Sequence, residues 1–158
     1  MNTFDLLENC IQIERIVGQI YGIFMEQQTS YPEYASLWEK IAQEEHNHEQ
    51  QFYLAKRLAC SMKTDATNSP HPSDELVKKL AALKARVAEK TLSPSESIRL
   101  AIDLEEKLSA FHMSQMRIFS DESTNTLFKS MMNNDNDHIE ALKKSLSNVV
   151  IAPSPDEA

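Results

Sequence analysis

Read at steps of three and four residues, the chain shows four long stripes of apolar positions, each on one face of a helical pattern. The first stripe is Leu7, Cys10, Glu14, Val17, Tyr21 and Phe24. The second is Trp38, Ile41, Glu45, His48, Phe52 and Ala55. The third is Ile98, Ala101, Glu105, Leu108 and His112. The fourth is Phe128, Met131, Asp135, His138, Leu142 and Leu146. Every stripe is apolar until its middle, where an acid interrupts it. On the second and fourth helices a histidine follows that acid by three positions.

Local signals place the helix ends. The first helix is predicted from Phe4 to Gln28, after Thr3 as N-cap. The second starts at Ser30-Tyr31-Pro32-Glu33, a capping box with proline at an early helical position, and runs to about Met62. The third follows a second such box, Ser93-Pro94-Ser95-Glu96, and runs to about Phe119. The fourth starts between Asp121 and Ser123 and ends near Asn148. Tight turns near Thr29 and Ser120 make each pair an antiparallel hairpin. The stretch between the hairpins, Lys63 to Leu92, is far longer. It reads as a loop, Thr64 to Pro72, then a short helix, Asp74 to Lys90, with Ser73 as N-cap. Such a helix spans ~25 Å. One long crossover between two hairpins is ferritin-like connectivity, so the fold class expected is all-α, a ferritin-like four-helix bundle. Residues 1–150 form that one domain, and 151–158, polar and Pro-rich, form a tail expected to be flexible.

The two halves repeat. Ile11-Gln12-Ile13-Glu14 aligns with Ile102-Asp103-Leu104-Glu105, and Leu37-Trp38 with Glu45 and His48 aligns with Leu127-Phe128 with Asp135 and His138. Equal distances from each turn place facing acids side by side, so the four acids are expected at one level. A single acid-x-x-His pair would mean little, since chance supplies roughly 0.8 in such a chain. Two pairs in the same register of a duplicated hairpin, each facing another acid, mean more.

Composition narrows the picture. Only 2 residues are Gly, which suits long helices. The net charge of −8 argues against nucleic acid and against an anionic membrane surface as partners. No apolar run approaches the ~20 residues of a membrane span. The N-terminus lacks a basic leader, and Cys10 and Cys60 form no framework, so a cytoplasmic location is expected. Four buried carboxylates would repel one another and lose their hydration. Two divalent cations would neutralise them. Carboxylates with one imidazole per ion suit iron, with manganese or zinc as alternatives. The metal ligands expected are therefore Glu14, Glu45, His48, Glu105, Asp135 and His138, with the four acids as the chemically active set.

At these residues the chain resembles the rubrerythrin branch of the ferritin-like superfamily, over roughly residues 4 to 148. The resemblance implies a di-iron centre bridged by Glu45 and by Glu105 or its facing acid, with Glu14, His48 and His138 completing the shell. It implies oxidation of Fe(II) by O₂ or H₂O₂, of peroxidase or ferroxidase type. Three departures stand out. Asp135 replaces the Glu of the second motif and is one methylene shorter, so the metal held by Asp135 and His138 is expected to be weaker or more open. Leu108 stands where a further Glu is common. The Cys₄ rubredoxin module is missing, so an external electron donor is required. A homodimer is expected, as such bundles commonly pair. The alternatives are a metal-binding or sensing bundle without turnover, or a structural bundle with a vestigial site.

Other polar residues read as follows. Glu44, Glu106 and His46 point away from the stripes, toward solvent. Tyr21 and His112 are equivalent in the repeat, and are either core residues or hydrogen-bond partners of the ligand carboxylates. Cys10, one turn from Glu14, is either a small core residue or has a redox role. Met131-Met132 reads as core filling.

Overall fold

The computed structural model describes residues 3–59, 71–117 and 121–151. Among them are five helices and no strand: α1 (Thr3–Gln27), α2 (Pro32–Ala59), α3 (Pro72–Glu89), α4 (Pro94–Met116) and α5 (Glu122–Ile151). The order is two tight hairpins separated by a crossover with its own helix, the expected ferritin-like connectivity. The far end of the second predicted helix at Met62, most of the predicted loop, Cys60, the predicted end of the third helix at Phe119 and the tail 152–158 lie outside the described residues. The chain divides into two compact units, Met1–Thr91 and Leu92–Ala158.

In the first unit α1 packs on both α2 and α3. Its apolar face is correspondingly wide, with Leu6, Leu7, Cys10, Ile11, Ile13, Val17, Ile20, Tyr21 and Phe24 all buried. The α1–α2 turn is closed by Trp38, whose indole donates to the buried Gln28 Oε1 at 2.8 Å. Tyr21 stacks on the same indole at 5.6 Å. Helix α2 begins at Pro32, the proline expected early in the helix. The Tyr31 carbonyl accepts from the amides of Tyr34 and Ala35, each at 3.0 Å, because proline suits the first helical position and fixes the start there.

The crossover helix, in contrast, starts earlier than its sequence suggests. Its N-cap is His71, not Ser73. The His71 Nδ1 accepts from the Ser73 amide at 3.2 Å, and the Asp74 carboxylate accepts from the His71 amide at 3.0 Å. Pro72 again sets the first turn. Ser73 is left buried, with its hydroxyl accepting from Asn9 at 2.9 Å. Further along, Lys84 donates to Gln19 and Gln27 donates to the Val87 and Lys90 carbonyls. Contacts that climb both helices together mean that α3 runs parallel to α1. It delivers the chain to the level where α1 ends.

The second unit is the α4–α5 hairpin. The Ser93–Glu96 capping box forms as the sequence predicts, and Asp121 caps α5 by accepting from the Thr124 amide and hydroxyl. The repeat is clear in burial. Every buried position of α4 corresponds to a buried position of α1, and the pattern of buried and exposed positions over 41–59 recurs over 131–149. Ile11 is the extra buried position in α1, the helix that also carries α3.

Candidate metal centre

The first unit gathers Glu14 from α1 with Glu45 and His48 from α2. All three are buried, and both acids are fully so. One ligand atom from each lies within 4.8 Å of the other two. The imidazole turns Nδ1 to the acids, 3.5 Å from Glu14 Oε2 and 3.3 Å from Glu45 Oε2. Glu45 and His48 share a face because they are one turn apart. Gly18, one turn after Glu14, lets α2 approach. A Cβ there would already sit 3.4 Å from that of Glu45.

Burial lowers the His48 pKa, but the Glu14 and Glu45 carboxylates outweigh it and push the value up to about 10. At neutral pH the metal-free imidazole therefore carries a proton that a metal must displace. Metal affinity at this set is expected to rise about tenfold per pH unit toward pH 10. The sign for the metal-free fold is opposite. A raised imidazole pKa stabilises it fully below about pH 6.5, and that contribution fades as pH rises toward 10. Calorimetric titration in buffers of different ionisation enthalpy reads the proton released. A pH-independent affinity with no proton released would contradict this account.

In the second unit the corresponding residues are buried and make different pairings. His138 Nδ1 lies 3.4 Å from Glu105 Oε2. Asp135 is fully buried, and its Oδ2 accepts from His112 Nδ1–H at 2.7 Å. Its Oδ1 is buried with no hydrogen-bond partner among the described residues. The structure thus makes His112 a carboxylate partner; the repeat-equivalent Tyr21 stacks on Trp38.

The remaining sequence candidates fall as follows. His46 and Glu106 are exposed and Glu44 is half-buried. Cys10 is buried, and burial, then the nearby Glu14 charge, push its thiol well above the ordinary value. Its full burial is that of a small core residue. Met131 is fully buried, as core filling requires.

One polar residue near the first set was not singled out from sequence. Glu49 beside His48 is buried, and its carboxylate accepts from Arg15 Nε at 2.9 Å, with His46 Nδ1 3.5 Å away. Its repeat equivalent is the apolar Ile139. An acid at a position that is apolar in the other half, with Arg15 opposite, was the available signal.

The donor set fits a hard or borderline divalent metal: carboxylate oxygens and imidazole nitrogen, with no thiolate in either group. The partnerless Asp135 Oδ1 fits it too, because a buried carboxylate oxygen is stabilised by a cation. No described helix is long and apolar enough to cross a membrane. A family model described as rubrerythrin matches residues 5–146. No curated protein and no solved structure matches the chain.

Proposed function

The chain belongs to the rubrerythrin family, and on that premise we propose that it is a di-iron carboxylate oxidoreductase that oxidises Fe(II) with H₂O₂ or O₂. The observation that carries the proposal is the Glu14–Glu45–His48 group, two fully buried acids and an imidazole with ligand atoms within 4.8 Å of one another. By the repeat, Glu105, Asp135 and His138 are the counterparts that would hold the second iron. Manganese or zinc would suit the same donors less selectively.

When bound, two ferrous ions would supply the two electrons that, with two protons, reduce H₂O₂ to two waters. The chain's own part is to hold charge and exclude water. Its carboxylates neutralise the cations, and His48 gives up its proton as metal enters. Val17, Ile41 and Leu108, next to the ligands along their helices, are buried, which keeps the surroundings of the acids apolar. In this reading an external donor returns the electrons. The proposal takes the protein to be a cytoplasmic homodimer, with no nucleic acid or membrane among its partners.

The test is metal analysis of protein from iron-rich medium, then anaerobic loading with Fe(II) and addition of H₂O₂ under optical observation. Two irons per chain and stoichiometric oxidation are expected. Iron bound but inert toward both oxidants would favour a metal-binding or sensing role. Failure to bind iron or any other divalent metal would leave a structural bundle.

A further inference from the structure

From the hydrogen bonding around Asp135 we infer that His112 is a positioning residue for the second metal, holding Asp135 so that it offers the metal one oxygen, Oδ1. The inference rests on the two-metal reading above and adds an inequality between the two positions.

The argument begins with the side-chain lengths. Asp135 stands where the other half has Glu45, so its carboxylate lies one methylene closer to its own helix. A shorter arm reaches less far and depends more on orientation. His112 supplies that orientation. Its Nδ1–H donates to Asp135 Oδ2 at 2.7 Å, and both side chains are fully buried. The imidazole is itself confined, with the Phe111 and Phe128 rings 5.5 and 6.0 Å away. With Oδ2 held by the imidazole, Oδ1 is the oxygen left to face an ion. Oδ1 has no hydrogen-bond partner among the described residues, although it is buried. A purely structural ion pair would gain nothing from leaving that oxygen so. A one-oxygen metal ligand requires it. Hydrogen bonds that fix a ligand carboxylate in this way commonly govern metal affinity.

The repeat gives a second line of support. The first half has the longer acid, Glu45, with Tyr21 at the position of His112. Tyr21 stacks on Trp38 at 5.6 Å. Two differences between the halves, Glu to Asp and Tyr to His, thus fall on residues that touch each other in the second half. They read as one coupled change.

The experiment is anaerobic titration with Co(II), followed by its ligand-field absorption, on wild type, His112→Phe, His112→Asn and Asp135→Asn. Phenylalanine keeps the ring and removes the donor. Asparagine places an amide N–H near the position of Nδ1. Wild type is expected to bind two equivalents, the second more weakly. His112→Phe should weaken the second by about 10–100-fold and leave the first unchanged. His112→Asn should restore the second to within about tenfold of wild type, and Asp135→Asn should lose it. Equal loss of both equivalents in His112→Phe, or loss of neither, overturns the role of His112. If His112→Phe does not fold by circular dichroism, the asparagine variant decides: a second equivalent lost as fully as in Asp135→Asn overturns the proposal. A wild type that binds no Co(II) sinks the two-metal reading, and this inference with it.

Discussion

Replacing His48 with alanine is expected to weaken metal binding at the first set by at least about 100-fold, and replacing His46 to change it less than about twofold. The two residues are two positions apart, which on a helix turns them about 200° from each other. His48 faces Glu14 and Glu45 from a buried position, whereas the His46 side chain is 57% exposed and reaches only Glu49. Loss of His48 removes a neutral nitrogen ligand and also the proton that partly balances two buried carboxylates in the metal-free protein. Competition against a chelating dye measures both variants on one scale. Equal effects of the two substitutions would show that the ligands lie on the wrong face of α2.

Glu14→Gln is expected to reverse the order of stability between metal-free and metal-loaded protein. In the metal-free first unit, two fully buried acids share one imidazolium, so the three groups together carry a negative charge. Glutamine has nearly the same shape and removes that charge. The metal-free variant should therefore be more stable than wild type by about 1–2 kcal/mol, or roughly 2–8 °C in melting temperature. With metal the order changes. Wild type gains about 4 kcal/mol at a thousandfold excess over its Kd, and the variant loses most of that gain with its ligand. Melting curves with chelator and with metal supply the comparison. A metal-free variant less stable than wild type would mean that the Glu14 carboxylate serves the fold, and not a cation.

The helices and the first metal set were legible because both follow from periodicity. Glu45 and His48 lie one turn apart among Trp38, Ile41 and Phe52, so the face they share had to be the buried one. Counting from the turn then brought Glu14 beside them. Helix starts were harder wherever a proline competed with a hydroxyl. Pro32 and Pro72 set the first turns, displacing the expected caps at Ser30 and Ser73, while at Ser93 the serine directly precedes the proline and the two signals agree. The bond from His112 to Asp135 could be named from sequence only as one of two options. Periodicity puts both residues inward, but it does not say which atom of a short side chain a neighbouring ring will reach. Glu49 was missed because an acid next to such a histidine normally turns to solvent, whereas here it pairs with Arg15.

The parallel docking of α3 on α1 has a kinetic consequence. Each hairpin closes through a short turn, so its contacts form between residues that are near in sequence and are gained early. The bonds from Asn9 to Ser73 and from Lys84 to Gln19 instead close loops of 64 and 65 residues. Ordering a loop of that length costs on the order of 4 kcal/mol of chain entropy, and α3 returns only a narrow apolar stripe, Leu80 and Val87, against it. The crossover helix is therefore the last element to seat and the first to lift. Its amides should exchange with solvent through openings that leave the α1–α2 hairpin closed, so that the first metal set stays assembled while the segment joining the two halves of the chain comes and goes.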